Sequence, residues 1–162
     1  MDTFGRMPVT GLLDVHMDPP DPVPVVSDHS VLGDLTDDAV DAFLAQVGPG
    51  TASGLLFAEL RHLGGALGRP AAGGGALSHL PGSYGMYCIA IAPFPEAAAV
   101  GAVAAAGVVR ALAPWSLPSR IPTFTDTRED TSSMFDGEAW ARLARLREAH
   151  DPTRLFLAHH EV

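Results

Sequence analysis

Two apolar segments that follow one another with no helix between them set the strongest limit on the fold of this chain. Residues 56–63 combine apolar side chains with Glu59 and Arg61 in alternation, which is typical of a strand with one less-buried face. Residues 84–91 are aromatic, β-branched and continuously apolar, and they predict the clearest strand in the sequence. A glycine-rich loop over residues 64–75 follows the first strand. Because parallel strands need a long crossover connection, usually a helix, this order favours an antiparallel sheet.

Three helices are predicted around these strands. Thr36 begins the first, over residues 37–47, as a hydroxyl cap followed by two aspartates near the positive end of the helix dipole. The second spans residues 96–113 behind a proline in its first turn, and the third spans residues 137–149 with Asp136 as its cap. We therefore expect one domain over all 162 residues, with an α+β fold whose antiparallel sheet is covered on one face by helices.

Each helix carries apolar side chains at helical spacing, and these predict the side that is buried. In the helix over residues 96–113 the predicted buried stripe consists of Val100, Val103, Gly107, Val108 and Leu112. The apolar faces of the other two helices consist of Val40, Phe43, Leu44 and Val47, and of Trp140, Leu143 and Leu146.

Three further segments have weaker patterns. Residues 9–15 and residues 121–125 are each compatible with a short strand. The prolines between positions 19 and 24 cannot lie in a central strand, because proline has no N–H to donate to a sheet. Residues 18–30 are therefore predicted to form an ordered loop.

The charge and the apolar content of the chain restrict the classes of function. A net charge of −9 argues against nucleic-acid binding, which requires clustered Lys and Arg to neutralise phosphates. The N-terminus lacks a basic segment followed by an apolar core, so no signal peptide is expected, and no apolar run reaches the ~20 residues of a membrane span. We therefore expect a cytoplasmic protein that binds neither nucleic acid nor membrane.

Metal and thiol chemistry are not indicated. Cys88 is the single cysteine, so neither a disulfide framework nor a thiolate zinc site is expected, and its apolar surroundings predict a buried thiol. Residues 159–161 and the pair His16 and Asp18 have side chains that can ligate metals. Neither group has the spacing of a zinc or iron site, so no metal site is predicted.

The last stretch of the chain carries the most specific motif. Residues 140–162 read as an amphipathic helix stopped by Asp-Pro, then an apolar Leu-Phe-Leu, then His-His-Glu-Val. This order resembles the closing motif of the berberine-bridge-like FAD-linked oxidases. The residues that fill the motif are Arg142, Leu143, Asp151, Pro152, Phe156, His160 and Val162. The apolar Leu155, Phe156 and Leu157 are predicted to pack back onto the domain.

Two upstream segments resemble the same family in the expected order. Glu59-Leu-Arg-His-Leu-Gly-Gly-Ala-Leu67, the loop ending in Ser-His79 and the strand that starts at Tyr84 are similar to the middle of the family's substrate domain. The proline-rich segment over residues 14–24 is similar to the loop before it in the bacterial branch. The resemblance thus runs from about residue 8 to the end, and it identifies the berberine-like motif over residues 121–162.

The resemblance implies both a fold and a chemistry. In the family, the substrate domain is an antiparallel sheet that lies over the isoalloxazine of FAD, with helices behind it. The enzymes transfer a hydride from an alcohol, amine or sugar carbon to the flavin, which O₂ then reoxidises. The chain resembles only the C-terminal part, without the family's N-terminal FAD-binding domain, so FAD is the implied cofactor but is not expected to be held by this chain alone. A small-molecule substrate, a separate FAD-binding subunit and a homo-oligomer formed through the exposed sheet face are the implied partners.

The same resemblance assigns the candidate site. Tyr87 lies on the strand where the family presents its catalytic base, and His79 matches a histidine before that strand. The family's Tyr-x-Asn-(Tyr/Phe) segment, which faces flavin and substrate, falls on residues 121–124, so Thr123 and Phe124 are the cofactor-binding candidates. Ile121 stands where the family has Tyr and Thr123 where it has Asn. The other interpretation of Tyr87 is a half-buried strand aromatic.

Three hypotheses for function follow from these residues. The chain is the C-terminal substrate-domain portion of an FAD-linked oxidoreductase, or a non-enzymatic remnant that keeps a small-ligand binding surface, or the substrate half of a split flavoenzyme. In all three, the sheet face opposite the helices is expected to be apolar, because in the family that face meets flavin and the FAD-binding domain.

Overall fold

A three-stranded antiparallel sheet with helices packed on one face forms the centre of this protein, as the sequence predicts. The computed structural model describes residues 5–15 and 19–162. Its helices are α1 (Leu12–Val15), α2 (Asp37–Val47), α3 (Pro95–Ala111) and α4 (Gly137–His150), and its strands are β1 (Val25–Leu32), β2 (Phe57–His62) and β3 (Tyr84–Ile91). Short 3₁₀ turns lie at Val9–Gly11, Ala113–Trp115, Pro122–Phe124 and Thr131–Met134.

Strand β3 is central and pairs antiparallel with β1 on one side and β2 on the other. The register places Tyr87 between His29 of β1 and Glu59 of β2. Because successive side chains of a strand point to opposite faces, these three residues share the face that the helices leave open. Met86 and Cys88 point to the other face, where they are fully buried under α3.

The helix-covered face holds the main core. Helix α3 packs directly on β1 and β3, and α2 packs against α3. Gly101 lets α3 approach the sheet closely, since a Cβ there would lie 2.6 Å from the Cβ of Ala90. The buried residues of this core are Leu32, Met86, Cys88, Ala105, Val108 and Leu112.

The predicted helix ends are confirmed at the level of single hydrogen bonds. The Thr36 hydroxyl accepts the N–H of Ala39 at 3.2 Å, and the Asp136 carboxylate accepts the N–H of Ala139 at 2.8 Å. Each cap therefore satisfies one of the N–H groups that a helix start leaves without a partner.

The prediction of a loop over residues 18–30 is wrong at its C-terminal half, which is strand β1. The polar run from Ser27 to Ser30 hides the strand in the sequence, because a half-polar segment has no clear apolar alternation. The prolines end at Pro24, whose carbonyl accepts the N–H of Ala92 at 2.8 Å. The proline-rich segment thus ends where the pairing with β3 begins. The N–H that proline lacks therefore removes no hydrogen bond from the sheet.

The two weaker strand predictions are also wrong. Residues 9–15 form the 3₁₀ turn and α1, with the N–H of Gly11 bonded to the carbonyl of Pro8 at 2.9 Å. Residues 121–125 contain the 3₁₀ turn Pro122–Phe124, since Pro122 cannot donate to a ladder and the N–H of Phe124 bonds the carbonyl of Ile121 at 2.9 Å.

The predicted buried stripe of α3 is wrong for two of its members. Val100 and Val103 are 69% and 67% exposed, whereas Gly101, Ala105 and Val108 are buried. The closest approach to the sheet is at Gly101, and successive helix residues point about 100° apart, so Val100 is turned away. Val40, Leu44 and Leu146, which the helical pattern also assigns to the buried side, are exposed as well.

The expectation that the C-terminal apolar segment packs back onto the domain is wrong. Leu155, Phe156 and Leu157 are 77%, 70% and 95% exposed. The segment is held through its backbone instead, because the Asp151 carboxylate accepts the N–H groups of Leu155 at 2.7 Å and Phe156 at 3.3 Å. The Arg147 guanidinium also donates to the carbonyl of Phe156 at 3.0 Å.

Within the described residues, none of the helices is both long enough and apolar enough to cross a membrane.

Candidate functional site

A loop over residues 120–127 lies across the sheet face that the helices leave open. The Nε2 atom of His29 accepts the N–H of Ile121 at 2.8 Å. Arg120 donates to the His29 carbonyl at 2.5 Å and to the Asp28 carboxylate at 3.2 Å, and it also pairs with Glu129 at 3.2 Å. These contacts fasten the start of the loop to β1.

His29 is neutral in this setting. It is fully buried, and burial, together with the nearby positive charge of Arg120, lowers its pKa to about 4. The Phe124 backbone and Asp126 oppose this lowering with smaller effects. Because Nε2 accepts a hydrogen bond, the proton of the neutral ring is on Nδ1.

The loop places the ring of Phe124 against the central strand. The rings of Phe124 and Tyr87 are stacked with their centroids 4.5 Å apart and their planes 16° apart. Phe57 meets the Tyr87 ring edge-on at 6.2 Å, and the Arg61 guanidinium lies 5.0 Å from the centre of the Phe124 ring. The middle of the open face is therefore aromatic and partly covered, and it also carries the ion pair of Arg61 with Glu59 at 2.6 Å.

The Tyr87 hydroxyl begins a chain of hydrogen bonds that leads out of the sheet face. Ser27, two residues before His29 on β1, donates its hydroxyl proton to Asp126 at 2.5 Å. The Tyr87 hydroxyl also forms a hydrogen bond with Ser27. Burial raises the pKa of Tyr87, Ser27 partly offsets the rise, and the negative charge of Asp126 adds to it. The phenol is thus protonated at rest, and its hydroxyl lies beside the hydrogen bond of Ser27 to Asp126.

The chain ends in a cleft of about 770 Å³ at the edge of β1. The residues that line this edge cleft are Val25, Val26, Ser27, Ala102, Pro122, Thr123, Thr125, Asp126, Thr127, His159 and His160. The two histidines belong to the C-terminal motif. Their Nε2 atoms lie 2.9 Å from the Thr125 carbonyl and 3.4 Å from the Pro122 carbonyl, so both Nε2 atoms are the donors. The cleft therefore joins an apolar wall to one carboxylate and two imidazoles.

The structure brings together only some of the residues that the sequence assigns to the site. Tyr87 and Phe124 are in direct contact. Thr123 is exposed and lines the edge cleft, which Phe124 does not line. His79 is exposed, lies 3.2 Å from the Ser78 hydroxyl, and lines a separate cavity of about 240 Å³ with Ser119.

Sequence reasoning missed four residues of the site: Ser27, His29, Arg120 and Asp126. Their signal is weak, because Ser27 and His29 lie on a strand that is predicted as a loop, and Arg120 and Asp126 flank the segment that is predicted as a short strand. The polar run in β1, next to the apolar Val25 and Val26, is the feature that could have indicated a strand with a functional face.

The described residues fit neither a metal ion nor a flavin lying on Tyr87. Among the described residues, no three His, Cys, Asp or Glu side chains are grouped to hold a metal ion. The His16 and Asp18 pair lies outside the described residues. A flavin ring lying on Tyr87 would have to displace the stacked ring of Phe124, so the residues as they stand do not fit a flavin at that position.

No protein-family model matches this sequence, and no curated protein matches it. The resemblance to FAD-linked oxidases therefore depends on the order of the motifs and on the residues that fill them.

Proposed function

We propose that this chain is the substrate-domain part of a cytoplasmic FAD-linked oxidoreductase of the berberine-bridge-like type, and that a separate subunit holds the FAD. The substrate is a small molecule with an oxidisable alcohol, amine or sugar carbon. The observation that carries the proposal is the hydrogen-bonded chain from Tyr87 through Ser27 to Asp126, which links the face that meets flavin in the family to the edge cleft.

The chain of hydrogen bonds supplies the proton transfer that oxidation of an alcohol or amine needs. Tyr87, with its raised pKa, is a poor base by itself. If a substrate hydroxyl donates to the Tyr87 oxygen and the phenol turns its own proton to Ser27, the substrate proton moves to Tyr87 as the phenol proton moves to Ser27 and the Ser27 proton moves to Asp126. The substrate O–H bond breaks, an O–H bond forms on Asp126, and the two hydroxyls between them are restored. Asp126 is exposed, so it can return the proton to water.

A second candidate function is a non-enzymatic module that binds a small ligand. The stacked Phe124 favours it, because this ring covers the side of Tyr87 that an oxidase would present to flavin. In this alternative the edge cleft is the binding site, and the chain from Tyr87 to Asp126 only orients a hydrogen bond to the ligand.

Titration with lumiflavin, the isoalloxazine without its nucleotide, separates the two functions. In the oxidase we expect saturable quenching of lumiflavin fluorescence, strengthened in Phe124→Ala because the face over Tyr87 is then open. FAD itself should not stay with the purified chain through desalting, since the isoalloxazine contacts alone are weak. Phe135→Ala is the matched control, because Phe135 stacks on Trp140 instead of Tyr87. If neither the natural chain nor Phe124→Ala binds lumiflavin, the oxidase proposal fails and the ligand-binding module remains.

A further inference from the structure

Helix α3 has a second apolar side that points away from the sheet. Its inner side is buried through Gly101, Ala105 and Val108, whereas Val100 and Val103 on the outer side are more than two-thirds exposed. A surface helix normally presents polar residues to solvent, and a helix that is apolar all round is normally buried all round. The outer side of α3 therefore has the composition of a covered surface.

The outer side forms one continuous stripe, which we call the α3 stripe: Glu96, Val100, Val103, Gly107 and Arg110. The spacings along it alternate between four and three residues, as in the contact seam of paired helices. Glu96 lies at one end and Arg110 at the other, and both are exposed. Neither forms an ion pair within the described part of the chain.

We propose that the α3 stripe is the contact surface of a homodimer, in which α3 packs antiparallel against α3 of a second copy. The stripe is symmetric in position about Val103, since Glu96 precedes it by as many residues as Arg110 follows it. A two-fold axis at Val103 therefore places each Glu96 opposite Arg110 of the other copy. A parallel arrangement would instead set Glu96 against Glu96 and Arg110 against Arg110.

The charge pattern therefore favours a second copy of this chain as the partner and also favours its antiparallel orientation. A two-fold interface requires a patch that is complementary to itself, and the α3 stripe has this property: opposite charges at equal distances from an apolar centre. The antiparallel arrangement also pairs the helix dipoles favourably. Gly107 allows close approach on this side, because a Cβ there would meet nothing nearer than the Gln46 side chain at 3.8 Å.

The open sheet face, which the sequence suggested as an oligomer surface, is the weaker candidate. Its centre is occupied by Phe124 stacked on Tyr87, and the Glu59 and Arg61 ion pair lies beside it. Its charged residues therefore already have a partner within the chain. A single pair of helices buries less than the ~800 Å² per subunit of a standard interface, so we expect a dissociation constant on the order of micromolar.

Sedimentation equilibrium of the full chain from micromolar to near-millimolar concentration tests the proposal. We expect a reversible dimer that Val103→Arg abolishes, because the two new charges face each other across the axis. Glu96→Arg and Arg110→Glu should each raise the dissociation constant at least about tenfold, since each creates two like-charge contacts. The double variant Glu96→Arg with Arg110→Glu should return it to within about threefold of the natural value.

Leu157→Arg is the control, because Leu157 is 95% exposed on a different surface, and it should leave the dimer unchanged. Circular dichroism and thermal melts confirm that every variant is folded. The proposal is overturned if the natural chain stays monomeric throughout, if the dimer survives Val103→Arg, or if the double variant is no better than the single ones. None of these outcomes depends on flavin, so they test the dimer separately from the proposed enzyme.

Discussion

Phe124 and Tyr87 form a nearly parallel stack, with ring centroids 4.5 Å apart, that joins a loop from the C-terminal third of the chain to the central strand. The stack connects the polar groups of the sheet face with the loop, because the hydroxyl of the same tyrosine contacts Ser27, which donates to Asp126. Its neighbour His29 fastens the loop that carries Phe124. The stability of the loop and the accessibility of Tyr87 are therefore linked.

Tyr87→Phe is expected to lower the free energy of unfolding by about 1 kcal/mol, the net value of one lost hydrogen bond. The Tyr87 hydroxyl forms a hydrogen bond with Ser27, which phenylalanine cannot make. Urea denaturation at neutral pH measures the change. Tyr84→Phe is the matched control, since the Tyr84 ring packs near His62 and the described structure gives its hydroxyl no hydrogen bond. An equal loss in the two variants would contradict the special role of the Tyr87 hydroxyl.

His29 is expected to make the protein less stable as the pH falls from 6.5 to about 4. In the unfolded chain His29 takes up a proton near its ordinary pKa of 6.5, whereas in the folded protein it stays neutral down to about pH 4. Over that range protonation stabilises only the unfolded state, and below it both states hold the proton. The loss is on the order of 2–3 kcal/mol.

The measurement is a set of urea denaturations between pH 7 and pH 4, made on the natural chain and on His29→Gln. Glutamine can keep an acceptor for the N–H of Ile121 but does not titrate, and it leaves Asp28, Asp126 and Glu129 in place. The difference in the free energy of unfolding between the natural chain and His29→Gln should become smaller as the pH falls. A difference that does not change with pH would show that His29 does not titrate in this range.

Gly101→Ala should destabilise the protein by about 1–3 kcal/mol, even though alanine is the better helix former. The new methyl would lie 2.6 Å from the Cβ of Ala90 and 2.9 Å from a methyl of Val26, so α3 would have to move off the sheet. Gly137→Ala, at the open start of α4, meets nothing within 4 Å and should be neutral or slightly stabilising. Thermal melts of the two variants compare them directly, and equal melting temperatures would refute the close approach.

Phe156→Ala should change the stability by less than about 0.5 kcal/mol, as expected for an exposed side chain. Phe156 is 70% exposed, so its removal uncovers little apolar area. Asp151→Ala should cost more, because the Asp151 carboxylate accepts two backbone N–H groups and pairs with Arg147 at 3.6 Å. A larger melting shift in Phe156→Ala than in Asp151→Ala would mean that the segment packs on the domain after all.

Cys88 should react with a thiol reagent only after unfolding. The side chain is fully buried, and burial raises its pKa to about 11, so at neutral pH it is neither accessible nor ionised. The Ellman reagent should titrate no thiol in the native protein at pH 8 and one thiol per chain in guanidinium chloride. Rapid native labelling would show that the core around β3 opens easily.

The elements with strong local signals could be predicted from the sequence. The start of helix α2 directly after Thr36 could be predicted because a capping hydroxyl is a local interaction, visible from neighbouring residues alone. The central strand β3 is continuously apolar, which is a strong local strand signal, and the antiparallel arrangement follows from the missing crossover helix. Cys88 is buried, as its apolar run predicts.

What only the tertiary structure decided is which surfaces meet, since this depends on residues far apart in the chain. Strand β1 exists because β3 pairs with it, although its own polar run reads as a loop. Gly101 determines which side of α3 faces the sheet, because the helix approaches the sheet most closely at this glycine. Val100 and Val103 therefore point outward. The candidate site could be predicted only in part for the same reason. Tyr87 stands out in the sequence, but Ser27 and Asp126 come close to it only when the loop folds over the sheet. Hydrogen-bonded neighbours must be close in space, and the order of residues along the chain does not show this.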